Sequence, residues 1–198
     1  MATRQVGVFI FDAVEVLDFA GPFEAFGVAG VGWDKPPLQV FTVAEQLRPV
    51  LARNGLSVNP QYSFSDCPAL DILVIPGGYG TRQLVNNPTI LDWLQQIAPQ
   101  VEIILSVCTG SLLLAKAGLL TGLQATTHHL ALDYLQALAP DTQILPGERW
   151  VDNGQIITSA GVSAGLDASL YLVGRLLGEA QAQTTARYME YNYFSATA

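Results

Sequence analysis

The sequence predicts an α/β domain built on a largely parallel sheet, and three observations carry that reading. Short apolar runs alternate with longer stretches of helical periodicity, the pattern of strands joined by crossover helices. The runs at Val6–Phe11 and Val101–Val107 are nearly continuous in hydrophobicity, as strands covered on both faces must be. Half of the 198 residues are hydrophobic and 13% are charged, enough apolar material for one sizeable core. There is no internal repeat, low-complexity tract or linker, so residues 1–198 are read as a single domain.

Taken in order, Val6–Phe11 is the first strand, Gln39–Val43 and Ile72–Ile75 are further ones, and Val101–Val107 is the strongest. Asn54-Gly55 and Asn153-Gly154 each lie between short β-prone stretches. Asn-Gly supplies the positive φ angles of a tight hairpin turn, so an antiparallel excursion is expected at both. Asn87 caps a helix whose first position is Pro88 and whose apolar spacing runs over Thr89–Ile97. Ser163–Leu177 reads as a long apolar helix stopped by Gly178. A last helix is expected over Glu179–Tyr191, with the aromatic end Tyr188, Tyr191, Tyr193 and Phe194 packing against the body or a dimer mate.

Composition excludes several functions. Seventeen acidic against nine basic residues give a net charge of −8, which argues against a surface that tracks nucleic-acid phosphates or an anionic membrane. Apolar runs such as Val101–Val107 and Ser111–Leu114 are too short to span a bilayer. The N-terminus enters a strand pattern directly, without a signal-peptide cleavage region. Two cysteines, Cys67 and Cys108, cannot form a disulfide framework, which fits a cytoplasmic protein with free thiols. The adjacent His128 and His129 with two distant cysteines give no metal-ligand spacing, so no metal is expected.

The segment richest in chemistry is Val101–Ala117, VEIILSVCTGSLLLAKA. A β-prone run ends at Val107 and a helix-compatible run begins within two residues. Cys108 is thereby placed on a strand-to-helix turn above the carboxyl end of the sheet, the logic of a nucleophile elbow. Helix N-terminal amides below it would favour thiolate and lower its pKa. The alternative is a buried, inert thiol, the reading given to Cys67 in SDCPAL. Pro76–Gly80, PGGYG, follows a strand, and an amide there with the amide after the cysteine could form an oxyanion hole. Asp18, in EVLDFAGPFEAF, precedes a Gly-Pro step and a helix at the same sheet edge, where capping competes with catalysis.

Four stretches together resemble the ThiJ/PfpI superfamily, relatives of the class I glutamine amidotransferases: VGVFIFDAVEVLDFAGPFEAF, DILVIPGGYG, SVCTGSLLLAKAGLLTGLQATTHH and ITSAGVSAGLDASLYLV. The resemblance implies a flavodoxin-like three-layer sandwich with a mostly parallel central sheet and a nucleophile elbow. Within the superfamily, the Cys-Thr-Gly elbow and LD-x-x-GP are most similar to isonitrile (isocyanide) hydratases and to the amidase-like domain of AraC-type regulators. This implies Cys108 as nucleophile and Asp18, rather than Glu15, as its acidic neighbour. Gly78 and Thr109 fall at oxyanion-hole positions, and Val162 on a loop that lines the substrate site. Proteases, glyoxalases and deglycases of the superfamily typically carry His after the cysteine, and Thr109 stands there instead. His128 matches the family's ATTH and is given a helix-start role.

The implied reaction is hydration of an isonitrile to an N-substituted formamide without a cofactor, on a small-molecule substrate, by a homodimer. It calls for an apolar pocket, with Phe23, Tyr79 and Val162 as candidate walls. The rivals are a ligand or redox sensor without turnover and a glyoxalase- or deglycase-type enzyme. The few residues after the last helix leave no room for a DNA-reading unit, which disfavours a full-length regulator.

Overall fold

In the computed structural model, which describes residues 2–193, eleven strands are assigned. The chain runs β1 (Arg4–Phe9), α1 (Val16–Gly27), β2 (Leu38–Ala44), β3 (Val50–Leu51), β4 (Ser57–Val58), β5 (Tyr62–Ser63) and β6 (Ile72–Ile75). It continues with α2 (Thr81–Leu84), α3 (Pro88–Ile97), β7 (Ile103–Val107), α4 (Ser111–Lys116), β8 (Gln124–Ala125), α5 (Leu132–Leu138) and β9 (Gln143–Ile144). It closes with β10 (Trp150–Asp152), β11 (Ile156–Ser159), α6 (Ala164–Leu177) and α7 (Glu179–Tyr188).

Seven strands make the central sheet in the order β10-β11-β7-β6-β1-β2-β5, parallel throughout except for β10. Helices α1, α6 and α7 pack in sequence on one another, as do α3, α4 and α5, giving the outer layers of the sandwich. β6 and β7 are fully buried, which is why their sequences are apolar without alternation. The chain leaves β1 toward β2 on one side and adds β6, β7 and β11 on the other. A crevice therefore opens at the carboxyl ends of β1 and β6.

Local signals are largely reproduced, with shifted edges. The Asn87 side chain accepts a hydrogen bond from the Thr89 amide at 3.0 Å, and Gly178 ends α6 at φ 97°. β7 starts at Ile103 rather than Val101, whose carbonyl accepts from the Gln155 side chain at 2.8 Å. Both Asn-Gly steps lie in antiparallel hairpins, but neither is a two-residue turn. Residues 52–56 join β3 to β4, and at the second step Gly154 alone has positive φ. The last helix stops at Tyr188, three residues before its expected end, and Phe194 lies outside the described residues. Among the described residues no helix is long and apolar enough to cross a membrane.

Candidate active site

Three strand ends build the site. After β7 the chain turns sharply at Cys108, which takes φ 56°, a left-handed value that costs a non-glycine residue energy. The turn is held on both sides. The Cys108 amide donates to the Ala160 carbonyl at 3.1 Å, while its carbonyl accepts from Thr127 Oγ1 at 2.8 Å and Ser111 Oγ at 3.2 Å. A Cβ at Gly110 would collide with the Ile75 carbonyl oxygen, so only glycine lets the turn sit this close to β6. The elbow expected from the sequence is thus formed. The thiol is 6% exposed and is approached by the amides of Thr109 and Val162, the latter on a loop strained to φ 48°.

After β1 comes Asp18. It lies inside the first turn of α1, not before the helix, and caps nothing; Glu15 occupies the cap position without a side-chain hydrogen bond. The Asp18 carboxyl is wholly buried. Oδ2 accepts the Gly77 amide at 3.0 Å and Oδ1 lacks a well-formed partner, although the carboxyl and the Cys108 thiol feel each other as hydrogen-bonding neighbours. Burial first, then the charge of Glu15, pushes Asp18 up from 3.8 to about 7, against the opposing pull of Cys108 and Gly77. Glu15 itself turns away to bind Arg53 at 2.8 Å.

After β6 comes the glycine loop, and here two expectations need correction. The Gly78 amide is not free to serve an oxyanion, because it donates to Thr109 Oγ1 at 2.9 Å. The Thr109 hydroxyl is itself held in place. It is also bonded to the Gly78 carbonyl at 3.2 Å and to Thr81 Oγ1 at 3.1 Å, clamping the glycine loop onto the nucleophile turn. The two glycine amides therefore organise Asp18 and Thr109. The thiol is also not acidified. Burial, then the Asp18 charge, raises Cys108 to about 12, outweighing the Thr109 and Val162 amides. The helix that was to favour thiolate, α4, is only six residues long.

An open cavity of about 270 Å³ leads to Cys108. Tyr79, Thr109, Val162, Gly78 and His128 line it, whereas Phe23 packs against the core instead. The pocket wall is mixed rather than purely apolar: Tyr79, Leu130 and Val162 share it with Glu15, Arg53 and Arg82. Arg53 lies over the Tyr79 ring at 4.6 Å and Arg82 lies 5.4 Å from its centroid. Sequence reasoning missed both arginines, since Arg53 arrives on the β3–β4 hairpin and only the fold brings it to the cysteine. Arg82, four residues after Gly78 on α2, was within reach of a reading of the glycine loop. His128 takes its helix-start role, Nδ1 accepting the Leu130 amide at 3.2 Å, and still lines the cavity. Cys67 is half-buried, bonded to the Pro68 carbonyl at 3.4 Å. Among the described residues no group of three His, Cys, Asp or Glu side chains could hold a metal ion.

Residues 4–174 match the DJ-1/PfpI family. The chain is 37% identical over 187 residues to an isonitrile hydratase of Pseudomonas putida, covering 94% of this chain and 78% of that protein. It is 28% identical over 172 residues to the HTH-type transcriptional regulator GbdR of Pseudomonas aeruginosa, covering 87% of this chain but 46% of the regulator. A THiJ/PfpI family protein from Pseudomonas syringae superposes with a TM-score of 0.87 at 32% identity, over 99% of this chain and 78% of that one. Drosophila melanogaster DJ-1beta shares the fold, with a TM-score of 0.82 at 20% identity over 97% of this chain and all of that one.

Proposed function

The chain belongs to the DJ-1/PfpI family, and within it we propose that it is a cysteine-dependent enzyme of the isonitrile hydratase type, with Cys108 as nucleophile and Asp18 as its proton carrier. One observation carries the reading: a wholly buried carboxyl set against a buried thiol at the end of an open cavity. With Asp18 near 7 and Cys108 near 12, the pair holds two protons below neutrality and one above it. The singly protonated pair can place its proton on the carboxyl and its charge on sulfur, and that tautomer is the reactive one.

Sulfur attacks the terminal carbon of R–NC, and Asp18 passes its proton to the same carbon, giving the thioimidate R–N=CH–S. The Asp18 carboxylate then takes a proton from water as hydroxide adds to that carbon, and returns it to nitrogen. In the last step Asp18 accepts the hydroxyl proton, the C–S bond breaks, and R–NH–CHO leaves. Thiolate and carboxylic acid are restored. The amides of Thr109 and Val162 steady the sulfur whenever it carries charge.

Formamide production from a simple aryl isonitrile tests the proposal. Turnover by the native protein, lost in Cys108→Ala and in Asp18→Asn, is the expected result. Full rate in Cys108→Ala refutes the mechanism. No turnover by native protein with a reduced thiol favours the alternative of a ligand-sensing domain, in line with the likeness to a regulator. The proposal includes a homodimer with a small-molecule substrate and no nucleic-acid or membrane partner. Light scattering on the eluting protein checks the dimer.

A further inference from the structure

The whole chain carries a net charge of −8, with only nine Lys and Arg side chains against seventeen acids. Two of those nine, Arg53 and Arg82, stand in the wall of the Cys108 cavity. The carboxylate on that wall, Glu15, is engaged by Arg53 at 2.8 Å. Arg82 has no carboxylate within ion-pair distance among the described residues. It is no loosely tethered side chain at its root. Its neighbour Thr81 is wholly buried and bonds the Gly78 carbonyl at 2.8 Å and Thr109 Oγ1 at 3.1 Å, fixing α2 to the nucleophile turn. Its guanidinium lies toward the Tyr79 ring, 5.4 Å from the centroid, and His128 across the cavity feels its charge. His128, pulled below its ordinary value by burial and by its cationic neighbours, adds no negative charge.

We propose that the mouth of the Cys108 cavity selects substrates bearing an anionic group, a carboxylate in the first instance, and that Arg82 recognises it. A guanidinium with no carboxylate partner among the described residues offers a forked set of donors that matches a carboxylate in shape and charge. In a protein that otherwise repels anions, a cationic concavity at the nucleophile both steers and orients them. The inference rests on Cys108 being the reacting centre, and it deepens the proposed function by naming a substrate class.

Two alkylating reagents of nearly equal size, iodoacetate and iodoacetamide, differ chiefly in charge. Their rates at Cys108, read by mass spectrometry of the peptide carrying it, report recognition without requiring hydration. The ratio of iodoacetate to iodoacetamide rates should fall about twofold to fivefold from native protein to Arg82→Gln, the upper part of the range of an exposed ion pair. Arg82→Lys should keep most of the preference, and added salt should erode it in the native protein. A ratio unchanged in Arg82→Gln overturns the proposal, as does a failure of Cys108 to react with either reagent. In a second arm, kcat/KM for an isocyanobenzoate should exceed that for phenyl isonitrile several-fold in native protein, and equal it in Arg82→Gln. Absence of turnover on both overturns the hydratase reading, while the alkylation ratio still decides whether the cavity prefers anions.

Discussion

Replacing Asp18 with Asn should abolish turnover and, at alkaline pH, make the protein more stable. The carboxyl is wholly buried, with Oδ2 satisfied by the Gly77 amide and Oδ1 without a well-formed partner. Its pKa is about 7 in the folded protein against an ordinary 3.8. For an acid whose folded pKa is raised, the stabilising contribution is full below the unfolded value and is lost as pH climbs through the folded one. The window therefore runs from about pH 4 to about pH 7, and the loss has levelled off by pH 8. A shift of about three pKa units corresponds to roughly 4 kcal/mol. An Asn amide keeps the Gly77 contact and cannot ionise, so it escapes this loss. Relaxation around the ionised carboxylate lowers the measured difference to about 2–4 kcal/mol, or roughly 5–10 °C in Tm for a chain of this size. The assay is thermal or urea unfolding of native and Asp18→Asn protein from pH 5 to pH 8.5. The native protein should lose stability relative to the variant as pH rises, and the gap should stop growing above about pH 8. A gap independent of pH, or a variant less stable than native at pH 8, would refute the burial argument and with it the proton-carrier role.

Three further outcomes follow from the same structure. Thr109→Val leaves the buried Gly78 amide without its acceptor, which should cost about 1–3 kcal/mol in urea unfolding and slow turnover by loosening the glycine loop. Thiolate absorbance of native Cys108 should stay absent until well above pH 9, and should appear at lower pH in Asp18→Asn because the neighbouring negative charge is gone. Arg149→Ala strips the main cationic partner from Asp167, a wholly buried carboxylate otherwise held by the Tyr191 hydroxyl at 3.1 Å. It should destabilise the fold by about 3 kcal/mol, and Asp167→Asn in the same background should recover much of that in unfolding midpoint.

Whatever depends on neighbours along the chain was legible in the order of the residues. The apolar runs became β1, β2, β6 and β7; Asn87-Pro88 began α3 and Gly178 ended α6. A β-prone run meeting a helical one was enough to put Cys108 on a turn, and the family motifs pointed to Asp18, which is buried beside Cys108 while Glu15 binds Arg53. Tertiary structure alone decided how those residues behave. The Gly77 amide meets Asp18 across 59 residues and the Gly78 amide meets Thr109 across 31, so which amides stay free could not be read locally. The direction of the Cys108 shift also escaped the sequence. A turn suggests amides that stabilise thiolate, but desolvation sums over every element packed around the sulfur and here it dominates. The cavity wall was decided in the same way, with Arg53 delivered by a hairpin and Arg82 by α2. Hydrogen-bond choice, burial and charge are set by what is near in space, and a chain order states that only for the nearest few residues.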